Sequence, residues 1–294
     1  MRNKTDMNIE KWLCENTSSL DGKLVAISGA TGGLGREICI YLGKLGASLV
    51  LVNRSRERAL KLEGELCELY PEIQIKHIIA DLEDFDTVRK AADELEKMPL
   101  DYLLLNAGAY SIPRRICKTG YDNVFQINFI APYYLARRLM PKIKERGGRV
   151  VAVGSIAHNY SKTDPADVDF RARSRASLVY GNAKRYLMYS LLGNQDGAVS
   201  VAHPGITFTN ITAHYPKLIF AIIKHPMKII FMKPRTAALS IVRAIFEPCS
   251  DFEWIGPAIF DVWGKPKKKK LRTASAEEIK RIKLTAEKIY SKLP

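Results

Sequence analysis

Long apolar runs are missing from this 294-residue chain. No stretch approaches the roughly 20 residues that a membrane-spanning helix needs, so the chain is expected to be soluble. Its start, MRNKTDMNIEKWLCENTSS, has no uninterrupted apolar segment followed by a small-residue cleavage site. That argues against secretion and predicts a cytoplasmic protein. Cysteine is scarce and unpatterned: Cys14, Cys39, Cys67, Cys117 and Cys249 are odd in number and form no C-x-x-C pair. The spacing speaks against a disulfide framework and against a zinc site, so reduced thiols in or near a core and no metal are expected.

Acidic charge is also short, with 31 Asp and Glu against 46 Lys and Arg and a net charge of +15. The excess is local, because residues 265–294 hold eleven Lys/Arg against three Glu. This tail reads as a disordered basic run, then a charged helix opened by the capping-box pattern Ser275-x-x-Glu278. A solvated tail is preferred over contact with lipid headgroups, and nucleic acid is not an expected partner.

What is present is alternation. After a polar N-terminal extension over 1–20, apolar runs at 23–29, 48–53, 73–80, 101–108, 149–155 and 198–205 read as buried strands. Helical patterns at 34–46, 55–69, 84–97, 119–146 and 176–194 lie between them. Crossover units of this kind predict a single α/β domain over 21–264, a Rossmann-like doubly wound parallel sheet.

The first strand meets the first helix at Ser28-Gly29-Ala30-Thr31-Gly32-Gly33-Leu34-Gly35. Glycines there let backbone approach a pyrophosphate, and the helix start offers free N–H groups. About 20 residues beyond such a turn, an acid normally holds the ribose 2′-hydroxyl of NAD. Asn53-Arg54 stands there instead, and a guanidinium suits a 2′-phosphate. NADP is favoured over NAD, with Ser55 and Arg56 as auxiliary donors and a solvated loop charge as the plainer account of Arg54.

In SLVYGNAKRYLMY, Tyr180 and Lys184 stand four apart on a predicted helix and share a face. A neighbouring ammonium lowers a phenol's pKa toward the working range, which would let Tyr180 exchange a proton with a carbinol oxygen. An isolated Y-x-x-x-K carries little weight by itself.

Over about residues 20–260 the chain resembles the short-chain dehydrogenases/reductases in the identity, order and spacing of motifs. The glycine motif matches at Gly29, Gly33 and Gly35, the adenine-side Asp at Asp81 beside Leu82, and N-A-G at Asn106-Ala107-Gly108. The family's active-site Asn matches Asn128, its Ser matches Ser155, and its Y-x-x-x-K matches Tyr180 and Lys184. Its P-G-x-x-x-T segment matches Pro204-Gly205, followed by Ile206, and Thr209. One departure is Ala183, where many relatives have Ser before the Lys.

The resemblance implies hydride transfer between a nicotinamide and a carbon bearing oxygen. Tyr180 would move the proton, Ser155 bind the substrate oxygen, Lys184 hold the nicotinamide ribose, and Asn128 anchor a relay water. Residues 156–179 and WIGPAIFDVWGKP look like the retinol-dehydrogenase-like branch, which implies a small lipophilic ketone, aldehyde, steroid-like or retinoid-like substrate. A lid is expected over about 206–235, where apolar runs with Lys217, Lys224, Lys228 and Lys233 could cap the pocket or touch a membrane surface. Arg171, Arg173 and Arg175 read as a solvated basic loop rather than a clamp for an acidic substrate. The family commonly pairs through the helices carrying Asn128 and Tyr180, which implies a homodimer. The competing functional reading is an NADP-sensing or membrane-surface interaction protein with little turnover.

Overall fold

A computed structural model describes residues 8–193, 197–207 and 232–294. Thr209 and nearly all of the expected lid lie outside the described residues. β1 (Leu24–Ser28), β2 (Ser48–Asn53), β3 (Ile75–Ile79), β4 (Tyr102–Leu105), β5 (Arg149–Val153), β6 (Val199–Ala202), β7 (Glu253–Ile259) and β8 (Trp263–Lys270) form one sheet. Its order is β3-β2-β1-β4-β5-β6-β7-β8, parallel throughout except for β8.

The strands are apolar on both faces because both faces are covered. Ala26 sits in register with Val50 and Leu103, and all three point into one core with Val150 and Ala152. Their neighbours Val25, Ile27, Leu49, Leu51 and Val151 point into the other. α1 (Ile9–Asn16), α2 (Gly33–Lys44), α3 (Arg56–Leu69) and α8 (Pro234–Phe246) line that second core. α4 (Phe85–Glu96), α6 (Ala131–Glu145), α7 (Ala176–Leu191) and α9 (Ala276–Tyr290) line the first. No helix among the described residues is long and apolar enough to cross a membrane. Cys39 and Cys249 are buried and Cys117 is half-buried, but Cys14 and Cys67 are exposed, so only part of the thiol expectation holds.

The basic run expected to be disordered is instead β8. Lysines suit it because it is the edge strand, where charge discourages pairing with another chain. Nearby carboxylates fix it as well: Lys268 faces Glu247 and Glu253, and Lys269 faces Asp261 at 2.6 Å. Composition alone registers the cations and not the anions that fold brings to them.

The residues beyond are not a loose tail either. Ser275 caps α9 by accepting from the Glu278 N–H at 3.2 Å, as the pattern predicts. The Glu278 carboxylate does not turn back to complete the box. It reaches Arg185 of α7 at 2.7 Å and the Thr163 N–H at 3.1 Å, while Tyr133 of α6 donates to Glu287 at 2.6 Å. Tyr133 and Arg137 of α6 and Arg185 of α7 are therefore held by the chain's own last helix.

Candidate active site

The C-terminal ends of β1, β4, β5 and β6 converge on one rim, where open α/β sheets bind ligands. At β1 the Ser28 hydroxyl accepts from the N–H groups of Asn106 and Ala107, both at 3.1 Å. Asn106 returns two bonds from its amide, to the Ser28 and Gly29 carbonyls. These four bonds tie the glycine turn to the N-A-G loop. Gly29 has φ +68°, and a Cβ there would stand 2.9 Å from Ala107 Cα. Gly35 is tighter still, since a Cβ would lie 2.2 Å from the Gly29 carbonyl oxygen.

Gly32 caps α2 with no side-chain bond, Gly33 and Leu34 open the helix, and its first turn holds no acid. The N–H groups there are oriented for an anion. Gly35→Ala is expected to cost about 1–3 kcal/mol by overpacking and to weaken dinucleotide binding in parallel. Thermal melts and NADPH titration of the purified variant measure both.

Asn53 is buried at the end of β2. Its Oδ1 accepts from the Thr31 N–H at 3.3 Å, and its Nδ2 is buried without a partner. Arg54 stands exposed, 3.8 Å from the Asp81 carboxylate. Ser55 caps α3 by accepting from Arg58 at 3.3 Å, and Arg56 and Arg58 are exposed beside it. Arg58 is a third exposed arginine close in sequence to Arg54 and Arg56. Asp81 also closes its own turn, accepting from the Glu83 N–H at 3.0 Å, with Leu82 buried next to it. The open glycine turn and the unpartnered Asn53 Nδ2 fit a nicotinamide dinucleotide.

Asn128 lies in a π-helical turn, Gln126–Ile130, between the short α5 (Asn123–Phe125) and α6. Its amide donates to the Val124 and Ala109 carbonyls, both at 2.8 Å, and its Oδ1 accepts from the Ala109 N–H at 3.2 Å. Widened turns of this type are frequent at functional sites. Gly108 makes room, for a Cβ there would stand 2.7 Å from Asn128 Oδ1 and 3.6 Å from Lys184 Nζ.

Ser155 follows β5 and does two things. It caps the 3-10 turn Ile156–Tyr160, and its hydroxyl lies close enough to the Tyr180 phenol to favour the ionised form. Lys184 is buried on α7, donates to the Val153 carbonyl at 2.8 Å, and holds its ammonium 5.7 Å from the Tyr180 ring centre. Pro204, Gly205 and Ile206 leave β6 beside them, Gly205 with φ +78°. Tyr110, which the sequence reading overlooked, meets Tyr180 edge-on at 5.4 Å. Its position two residues past the N-A-G motif was the available signal.

The protonation states depart from expectation. Burial pushes the Tyr180 phenol up to about 12, and the Ser155 hydroxyl offsets only part of that. Burial brings Lys184 down to about 8. The ammonium that was to lower the phenol's pKa is spent on a backbone carbonyl and lies over the ring instead of at the oxygen. The Tyr180 phenol thus stays neutral at ordinary pH in this geometry.

A cleft of about 210 Å³ opens nearby between Ser111, Ile112, Val124 and Val179. Val124 and Val179 also pack with Tyr180. Arg171, Arg173 and Arg175 are exposed, as expected of a solvated basic loop, and the first two are also paired. Arg171 holds Asp169 and the Gly120 carbonyl, while Arg173 holds Asp164 and lies over the Phe170 ring. Acids within the same loop account for them.

Residues 23–164 match the profile of the short chain dehydrogenase family. An uncharacterized oxidoreductase of Schizosaccharomyces pombe is 26% identical over 88% of this chain and 83% of its own length. Retinol dehydrogenase 14 of Mus musculus is 30% identical over 66% of this chain and 64% of its own. The chain belongs to the short-chain dehydrogenase/reductase family.

Within that family it falls in the retinol-dehydrogenase-like branch, and it is an oxidoreductase acting on the CH–OH/C=O couple. The fold agrees. A putative NAD(P)-dependent gluconate 5-dehydrogenase of Beutenbergia cavernae, solved with NADP, superposes with a TM-score of 0.60. It is 21% identical and aligns over 79% of this chain and 91% of its own.

Proposed function

We propose that this short-chain dehydrogenase/reductase is an NADP-dependent reductase of small lipophilic ketones or aldehydes, with Asn128, Ser155, Tyr180 and Lys184 as its working residues. The observation that carries the proposal is the placement of Tyr180 beside Ser155 and under the Lys184 ammonium, on the rim where the glycine turn also opens.

When bound, the nicotinamide supplies the hydride. Ser155 and Tyr180 hold the carbonyl oxygen between two hydroxyls, which stabilises the negative charge that grows there. Tyr180 then gives its proton to that oxygen. Lys184, two-sided in its contacts, sits over the ring and steadies the phenolate that remains. Asn128 fixes the backbone at Ala109 and thereby the position of Tyr110 and the wall of the cleft. The dinucleotide would be held by Ser28, Gly29, Thr31, Gly32, Gly33, Leu34 and Gly35 at its pyrophosphate, and by Asp81, Leu82, Asn106, Ala107 and Gly108 along its length. Pro204, Gly205 and Ile206 would lie along its nicotinamide end.

Two further points support the finer assignment. Asn53-Arg54 puts an exposed cation, 3.8 Å from Asp81, at the end of β2 where a 2′-phosphate would rest, and a structural neighbour was solved with NADP. Ile112, Val124, Ala176 and Val179 give the cleft an apolar side opposite the polar Ser111, Arg114 and Ser174, in keeping with the lipophilic alcohol named in retinol dehydrogenase 14.

Arg54→Ala tests the cofactor choice. The NADPH dissociation constant is expected to rise about tenfold, and that of NADH less than about twofold, because only the former loses a charge-assisted bond. Fluorescence titration of both cofactors measures the split, and equal effects would refute the phosphate role.

A further inference from the structure

β7 runs parallel to β6, so its C-terminal end at Ile259 lies on the same rim of the sheet as Ser155 and Gly205. The turn from β7 to β8 therefore projects on that rim, next to the end of β6. Two contacts hold it there. A Cβ on Gly205 would meet the Val262 carbonyl at 2.7 Å, and the buried His203 faces the Asp261 carboxylate at 3.5 Å.

The composition of this turn runs against its geometry. Phe260 and Asp261 have φ of 51° and 57°, and the Val262 N–H donates to the Ile259 carbonyl at 3.0 Å. Consecutive positive φ values favour Asn, Asp or Gly. Asp261 suits them, but Phe260 does not, and a bulky residue in this region persists only where its surroundings over-determine it. Asp261, the one carboxylate in the sequence 257–270, supplies that constraint by pairing with Lys269.

The strained ring is not buried. Phe260 is 84% exposed, Ile259 52% and Trp263 39%. Large apolar groups gathered on one projecting turn mark an interaction site. Lys265 and Lys267 follow on alternate positions of β8, both exposed and on the same side as Trp263. An apolar tip is thus backed by cations, and its own carboxylate is already engaged. Edge protection explains the lysines by themselves, but not the ring held out ahead of them.

We infer that the β7–β8 turn is a membrane anchor: Ile259, Phe260 and Trp263 enter the interface of an anionic bilayer while Lys265 and Lys267 meet its headgroups. Apolar insertion and basic attraction together give the two-part attachment that peripheral binding needs. The rim that carries Tyr180 is then held near the bilayer, which shortens the path of a lipophilic carbonyl through bulk water. That last step rests on the function proposed above.

Vesicles of equal parts phosphatidylcholine and phosphatidylserine, sedimented with the full chain, test the anchor. The protein is expected to pellet with them and to stay in solution with phosphatidylcholine alone. Phe260→Asp should lower partitioning by about tenfold or more. Lys265→Glu combined with Lys267→Glu should abolish the dependence on phosphatidylserine. Phe260→Gly removes the ring yet suits a positive φ, so it is expected to raise Tm while losing the vesicles, which separates a binding defect from a folding defect.

NADPH affinity and turnover of a water-soluble aldehyde should be unchanged in all these variants. Unaltered protein that ignores anionic vesicles overturns the anchor. So does Phe260→Asp that pellets undiminished, or that lowers the molecular mass by light scattering, which would make the turn a contact between copies. Failure of the enzymatic proposal alone would abolish turnover and leave pelleting intact.

Discussion

Tyr180→Phe is expected to lower kcat/KM for carbonyl reduction by about a hundredfold to ten-thousandfold, the range a positioned general acid supplies. The substitution removes one oxygen. The ring keeps its edge-on contact with Tyr110 and its place under the Lys184 ammonium. The glycine turn, the Asn53 corner and the arginines are untouched, so the NADPH dissociation constant should stay within about twofold of the unaltered protein. The loss should therefore fall on kcat, as for an interaction made in the transition state and not in binding.

The alkaline side of the pH profile has a separate origin. Lys184, brought down to about 8 by burial, loses its proton well before Tyr180, which burial pushes up to about 12. Reduction is expected to decline as pH rises through about 8, while the phenol is still protonated. Lys184→Met should be slower throughout and lack that decline. Steady-state kinetics across pH separate these cases, and retained activity in Tyr180→Phe would overturn the mechanism.

Glu278→Gln is expected to cost about 3–5 kcal/mol of folding stability, a value typical of breaking a buried ion pair from one side. Arg185 is only 2% exposed at its side chain and Glu278 11%, so the guanidinium left behind could not turn to water. The carboxylate also accepts from the Thr163 N–H and hydroxyl, both at 3.1 Å. Urea denaturation at neutral pH measures the loss. Arg185→Met with Glu278→Leu should recover most of it, because no uncompensated charge remains.

The difference from the unaltered protein should depend on pH. Burial by itself would raise the Glu278 pKa, but Arg185 and Thr163 outweigh it and hold the group below its ordinary 4.5. A depressed carboxylate adds stability above its unfolded pKa and gives it up as pH falls through the folded one. The gap between the two proteins should therefore be full above about 4.5 and narrow below it.

Six of the strands and the main helices were legible because each apolar run is short, continuous and bounded by glycine or polar residues. β1 shows this best, running from Leu24 to Ser28 straight into the glycine turn. β8 was not legible, since a lysine-rich edge strand and a disordered basic run have the same composition until Glu247, Glu253 and Asp261 are brought alongside. The residues of the candidate site were legible from motif order, and the rim brings together every described member. Their chemistry was less so. Spacing placed Lys184 on the face of Tyr180, but whether an ammonium reaches a phenol oxygen or a nearby carbonyl depends on β5, which the spacing cannot contain. Ser275-x-x-Glu278 likewise announced the start of α9, while the partner that took the Glu278 carboxylate lay 93 residues upstream.

α9 carries a consequence for dilution. In an enzyme whose active-site helices are braced by a second subunit, the brace is subject to mass action and weakens as concentration falls. Here Arg185 of α7 and Tyr133 of α6 are braced by Glu278 and Glu287 of the same chain. The tether fixes the local concentration of that brace at a value set by the connecting residues and not by expression level. The helix that carries Tyr180 and Lys184 keeps its support at any protein concentration, including that of a few molecules scattered over a surface.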